Sequence, residues 1–87
     1  MQADKKQITR LLKTARGQLD GILAMVEENR YCIDISNQVM ACEAMLHRAN
    51  KEILAAHMKG GVKHAIESGE GEDKLEELIS LIDKLTK

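Results

Sequence analysis

Few side chains in this chain of 87 residues can do chemistry: Cys32, Cys42, His47, His57, His64 and Tyr31. No Gly-rich phosphate loop, CxxC pair, HExxH motif or nucleophile elbow accompanies them. Nothing in the sequence resembles a catalytic triad, and so short a chain has little room for a deep pocket, so an enzyme is not expected. A thiolate with an imidazole is a soft donor set, suited to Cu(I), Zn(II) or related ions. Cys42 falls mid-way along an apolar seam, where a small hydrophobe belongs. His47 and His64 read as helix-flank surface residues, and Cys32, on the same seam, reads by spacing alone as a small hydrophobe or, with His57, as a donor.

The elements that must position this pair are helices. The composition is 44% hydrophobic and 31% charged, with one Tyr and no Phe, Trp or Pro. That argues against small β-sandwiches and base-stacking RNA modules, which lean on aromatics. Ile8, Leu11, Leu12, Ala15, Leu19, Ile22, Leu23 and Val26 recur at steps of three and four, predicting an amphipathic helix over about 5–28. Asp4 suits its N-cap and Glu28-Asn29 its end. In the second segment Cys32, Ile35, Val39, Cys42, Leu46, Ala49, Ile53, Ala56 and Gly60 alternate steps of three and four, a coiled-coil-like seam. A second stripe of Ile33, Met40, Leu54 and Met58 widens it, so this helix is expected to meet more than one neighbour. Gly60-Gly61 predicts a weakening or bend, since each glycine costs about 1 kcal/mol in a helix interior. Val62, Ala65 and Ile66 resume the period to about Glu67. Ser68-Gly69-Glu70-Gly71 reads as a linker. Leu75, Leu78, Ile79, Ile82 and Leu85, behind Glu72-Asp73, predict a short third helix. The expectation is an all-α protein of three helices, one long and central, forming a single domain over residues 1–87.

Cys32 and His57 lie 25 residues apart on the predicted second helix, roughly 37 Å at 1.5 Å per residue. Within one chain they cannot share a ligand. Between two copies packed antiparallel about a two-fold, Cys32 faces His57 when paired residue numbers sum to 89. The helices then cross between Ala44 and Met45, near the middle of the seam, and two equivalent Cys/His sites result.

Charge is unevenly spread. Residues 1–16 carry Lys5, Lys6, Arg10, Lys13 and Arg16 against Asp4 alone, a candidate polyanion footprint. Residues 67–77 carry six carboxylates against Lys74 alone. No stretch of roughly 18 apolar residues is present, so no membrane span is expected. The opening residues do not read as a signal peptide, and two thiols without an export signal point to the reducing cytoplasm.

Leu12-Lys13-Thr14, Arg16-Gly17, Leu19-Asp20-Gly21-Ile22, Tyr31-Cys32, Arg48-Ala49-Asn50, His57 and Glu76-Glu77-Leu78-Ile79 resemble the copper-sensitive operon repressor family, which also includes nickel/cobalt, formaldehyde and persulfide sensors. The resemblance runs without gaps over nearly the whole chain. It implies an antiparallel four-helix-bundle dimer of three-helix protomers, paired into a tetramer, that represses transcription at operator DNA without a helix-turn-helix. It also implies an inducer bound across the dimer interface by a Cys at the start of helix 2 and a His near its end, matching Cys32 and His57. Tyr31 and Glu77 match the outer-shell hydrogen-bonding pair of such proteins. Lys13, Arg16 and Arg48 match or neighbour their DNA-contacting residues, and Arg10 lies on the same basic segment as Lys13 and Arg16.

One position departs from the pattern. Copper and persulfide sensors carry a second Cys four residues after the His, and nickel/cobalt sensors a His; this chain has Gly61, which donates nothing. Formaldehyde sensors use a Pro after Met, where this chain has Gln2. Family frequency puts Cu(I) first among inducers, in a two-coordinate Cys/His site or with a third donor such as Met58 or His64. The alternatives are a thiol-based sensor of an electrophile or sulfur species acting through Cys32 and, from another class, a helical adaptor that binds no DNA. A sequence pI near 6.3 favours the adaptor; the basic first helix and the Cys32/His57 symmetry favour the repressor.

The apolar seam on helix 2 exceeds what two shorter helices can cover, so the chain is expected to assemble at least as a dimer. Light scattering at micromolar concentration should return a multiple of the 9.7 kDa chain mass; a monomer mass would overturn the expectation.

Overall fold

The computed structural model describes residues 1–85 as three helices, α1 (Lys5–Glu27), α2 (Cys32–Ser68) and α3 (Gly71–Leu85), with no strand among the described residues. Helix α1 starts where the sequence predicts. The Asp4 side chain accepts from the backbone N–H groups of Lys6 (3.0 Å) and Gln7 (3.4 Å), two of the donors that a helix start leaves without partners. It ends at Asn29, whose φ of 54° is left-handed. There Asn29 N–H donates to Val26 O and Arg30 N–H to Met25 O, the paired closure of a Schellman turn. Helix α2 also ends at a left-handed residue, Gly69 (φ 79°), but there both Gly69 N–H (2.8 Å) and Glu70 N–H (3.1 Å) donate to Ala65 O. Tyr31 leads into α2, its carbonyl accepting from Ile35 N–H.

One boundary differs from the sequence expectation. The connection after α2 is shorter than the predicted linker, because Ser68 closes α2 and Gly71 already opens α3. As expected, α2 continues past Gly60-Gly61, running for 37 residues to Ser68 against an expected end at about Glu67. The roughly 1 kcal/mol cost of each glycine is outweighed by the regular turns on either side.

Contacts along the chain fall into two units. The first is Asp4–Lys51; the second joins Met1–Ala3 to the chain from Glu52 onward. In the first unit α1 buries Ile8, Leu11, Ala15 and Ile22 along one stripe, and α2 buries Cys42 and Ala49. Ala15, Ile22 and Cys42 form a cluster with Ile35 and Met45 packed against it. The Cys42 thiol donates to the carbonyl of Ala15 at 3.5 Å, so Cys42 is a core residue, as its place mid-seam predicts. The seam itself divides. Ile35, Cys42 and Ala49, seven residues apart, are buried or half-buried, while Cys32, Val39 and Leu46 on the alternate heptad position are exposed. In the second unit Met58 and Ala65 of α2 are buried, and α3 buries none of its residues.

Leu11, 1% exposed, is the largest fully buried side chain among the described residues. Leu11→Ala is expected to destabilise the protein by about 2–5 kcal/mol through lost burial and a residual cavity. Equilibrium denaturation checks this, and a cost below 1 kcal/mol would show that the site collapses without penalty.

Candidate functional site

In the second unit His57 of α2 stands against Glu77 of α3. The His57 Nε2 atom lies 2.5 Å from Glu77 Oε1, and Lys74 Nζ donates to Glu77 Oε2 at 3.1 Å. One carboxylate therefore joins an imidazole and an ammonium. A carboxylate only accepts, so Nε2 carries the proton and donates. In the neutral ring this leaves Nδ1 with the free lone pair, the arrangement in which a second-shell carboxylate orients a ligating histidine. Hydrogen bonding from Lys74 first, and from His57 second, holds the Glu77 carboxyl below its ordinary range. The group remains open to solvent: the side chains of His57, Glu77 and Lys74 are 48%, 35% and 24% exposed.

The two glycines that follow His57 make room for neighbours. A Cβ at Gly60 would meet the Gln2 side chain at 3.1 Å, so the N-terminal segment lies close against α2 there. A Cβ at Gly61 would touch Cδ, Cε and Nζ of Lys74, each at 3.4 Å. The place where related sensors carry a donor is thus occupied along one side by the Lys74 chain. Met58, a candidate third donor by sequence, is buried, and His64, the other, is exposed.

The remaining predicted residues belong to the first unit. Cys32 opens α2 as an exposed free thiol, and Tyr31 before it is 67% exposed. Lys5, Lys6, Thr9, Arg10, Lys13 and Thr14 line one open face of α1. Arg10 is steadied there by two hydrogen bonds to Gln7 Oε1 (2.8 and 3.2 Å). Arg16 follows Lys13 by one turn, and Arg16, Arg48 and His47 are exposed. The structure therefore brings His57 to Glu77 and sets Arg10 beside Lys13. Cys32 and Tyr31 belong to a different unit from His57 and Glu77. Among the described residues no three His, Cys, Asp or Glu side chains gather as a metal site within one chain. The contacts of Lys74 with Glu77 and with the Gly61 side were not foreseen; the Lys74-x-x-Glu77 spacing, one helical turn, is the signal that could have found the first.

Three helices, a basic outer face and an imidazole with one nitrogen left open define a small all-helical binding protein. A family profile described as "Metal-sensitive transcriptional repressor" matches residues 4–84. The copper-sensing transcriptional repressor CsoR of Bacillus subtilis (strain 168) is 42% identical over 84 residues, 97% of this chain and 83% of that protein. CsoR of Mycobacterium tuberculosis (strain ATCC 25618 / H37Rv) is 39% identical over 80 residues, covering 92% and 67%. The crystal structure of CsoR with Cu(I) from Geobacillus thermodenitrificans NG80-2 matches with a TM-score of 0.84 at 38% identity, covering all of this chain and 94% of that one. The nickel-responsive transcriptional regulator InrS matches at 0.85 and 30% identity, covering 98% and 96%. The chain belongs to the metal-sensitive transcriptional repressor family.

The depressed Glu77 carboxyl sets a pH dependence. Its stabilising contribution is complete above its unfolded value, near 4.5, and is lost as pH falls through the lower folded value. Glu77→Gln should therefore destabilise the protein at pH 7, with the penalty shrinking as pH approaches 3. Denaturation of wild type and variant across that range checks this; a penalty independent of pH would contradict it.

Proposed function

We propose that this repressor holds operator DNA through the basic face of α1 and releases it when a soft metal ion, Cu(I) first, binds between two copies through Cys32 of one and His57 of the other. The observation that carries this reading is the Glu77 contact on His57 Nε2, which leaves Nδ1 free as a donor. Cys32 is a free, exposed thiol, and thiolate with imidazole fits a soft ion held by few donors. The copper-sensing name of the relatives, and the Cu(I) in one related structure, support the choice of ion.

The working unit in this reading is a homodimer with antiparallel α2 helices, paired into a homotetramer. Cys32, Val39 and Leu46 lie along one exposed stripe of α2, so the thiol sits on an apolar face that a second copy would cover. Tyr31 would join Glu77 in orienting His57 across that interface. On α1, Arg10, Lys13 and Arg16 would meet phosphates, with Arg48 of α2 extending the footprint. Among the described residues no helix is long and apolar enough to cross a membrane; a cytoplasmic location suits an operator-binding protein.

Each phosphate-contacting cation contributes about 0.9 to the slope of log affinity against log salt on duplex DNA. Lys13→Glu or Arg16→Glu should therefore abolish operator binding without loss of helicity or assembly. Cys32→Ala and His57→Ala should bind operator as wild type does yet fail to release it with Cu(I), while Cys42→Ala should release normally. Gel-shift titration of these variants on the promoter of the protein's own operon, with Cu(I), Zn(II), Ni(II), formaldehyde and persulfide in turn, is the test. Release of Cys32→Ala by Cu(I) would overturn the site, and release of wild type by formaldehyde or persulfide alone would overturn the choice of metal.

A further inference from the structure

We propose that Lys74 sets the charge of the ion the site accepts, favouring a monovalent soft cation over divalent ones; the inference rests on the Cys32/His57 reading above. The side chain does two things at once. Its Cδ, Cε and Nζ each lie 3.4 Å from where a Cβ at Gly61 would stand, so the ammonium borders the position at which a third donor would be rooted. The same ammonium donates to Glu77 Oε2 at 3.1 Å and neutralises the carboxylate whose other oxygen holds His57. With Lys74 only 24% exposed, this charge is held against Glu77 and the Gly61 backbone rather than extended into solvent.

Both effects weigh on ion choice in the same direction. Zn(II) is held by three or four protein donors. Here Gly61 supplies none and a cation borders its place. Coulomb energy scales with the charge of the ion. A fixed ammonium therefore penalises a divalent ion about twice as strongly, in log affinity, as a monovalent one. A single thiolate and a neutral imidazole carry one negative charge, which balances a monovalent ion and leaves a divalent one uncompensated. Lys74 is in this sense a positioning and specificity residue, acting through Glu77 and through charge rather than as a ligand.

The test is competition titration of the assembled protein against chromophoric chelators, with bicinchoninate for Cu(I) and a Zn(II)-binding dye for Zn(II). Lys74→Gln removes the charge and leaves Glu77 unneutralised beside His57. It should raise Zn(II) affinity about tenfold or more, the scale of second-shell effects, and Cu(I) affinity by about half that gain in log units. Lys74→Arg keeps the charge and should keep the wild-type ratio of the two affinities, an outcome that a merely structural role would not produce. An unchanged ratio in Lys74→Gln, equal gains for both ions, or an equal shift in Lys74→Arg would each overturn the proposal. Should Lys74→Gln lose helicity, Glu77→Gln carries the test in the opposite sense. It leaves the ammonium unopposed and must weaken Zn(II) more than Cu(I); equal losses would overturn the proposal. Cys32→Ala separates the two levels. If it binds Cu(I) as wild type does, the site between copies falls and the role of Lys74 with it. If it loses Cu(I) while Lys74→Gln keeps the wild-type ratio, only the role of Lys74 falls.

Discussion

A 37-residue helix cannot be covered by the rest of an 87-residue chain, and the features of this protein follow from that shortfall. The heptad seam of α2 splits between its two apolar positions. Ile35, Cys42 and Ala49 turn inward, whereas Cys32, Val39 and Leu46 face out. Helix α1 divides in the same way, with Leu11, Ala15 and Ile22 buried and Leu12, Leu19 and Val26 each about half exposed. Eight hydrophobic residues are buried and sixteen large ones stay exposed among the described residues. Apolar stripes left open at heptad spacing are association surfaces, since monomeric proteins seldom leave such continuous patches uncovered.

The donors of the proposed site lie on helix surface that one chain leaves open, Cys32 exposed and His57 about half exposed. Cys32 belongs to the outward stripe, so its thiol shares a face with the residues that need a partner. His57 is prepared from within its own chain: Glu77 takes Nε2, and the open nitrogen is the one a ligand would use. Glu77 is in turn held by Lys74, one helical turn earlier on α3. In the proposed reading, a half-site already oriented in one chain would lose less ordering entropy when a second copy brought the other donor.

Much of this was legible in the sequence because helix signals are local. Steps of three and four fixed the three helices, Asp4 the start of α1 and Asn29 its end, since each of these rests on residues within a turn of one another. Cys42 could be assigned to the core because its neighbours in the period are apolar. The split of the seam was not legible, since both heptad positions carry apolar residues and only the packing distinguishes them. The continuation of α2 past Gly60-Gly61 was legible from Val62, Ala65 and Ile66, which resume the period although propensity at the glycines predicts weakness. The crowding of Gly60 by Gln2 and of Gly61 by Lys74 involves residues 58 and 13 positions apart, beyond the reach of any periodicity. Family resemblance marks Glu77, with Tyr31, as an outer-shell residue, while its bond to His57 is a fact of three dimensions.

The division of labour on α1 bears on how the two ends of the proposed function can communicate. Its inward stripe packs against α2 through the Ala15, Ile22 and Cys42 cluster, and the Cys42 thiol is hydrogen-bonded to the Ala15 carbonyl. Arg10 and Lys13 occupy an open face of the same helix. A helix is stiff over such a length, and close-packed cores shift between discrete arrangements rather than yield gradually. Displacement of α2 at Cys32 would therefore be handed to α1 through the core and would reappear as a displacement of its cations. A ligand can shift such an equilibrium only by its difference in affinity for the two arrangements. An inducer held by donors from two chains meets that requirement, because its affinity depends on how those chains are set against each other, the same variable that decides whether the basic faces match the spacing of phosphates.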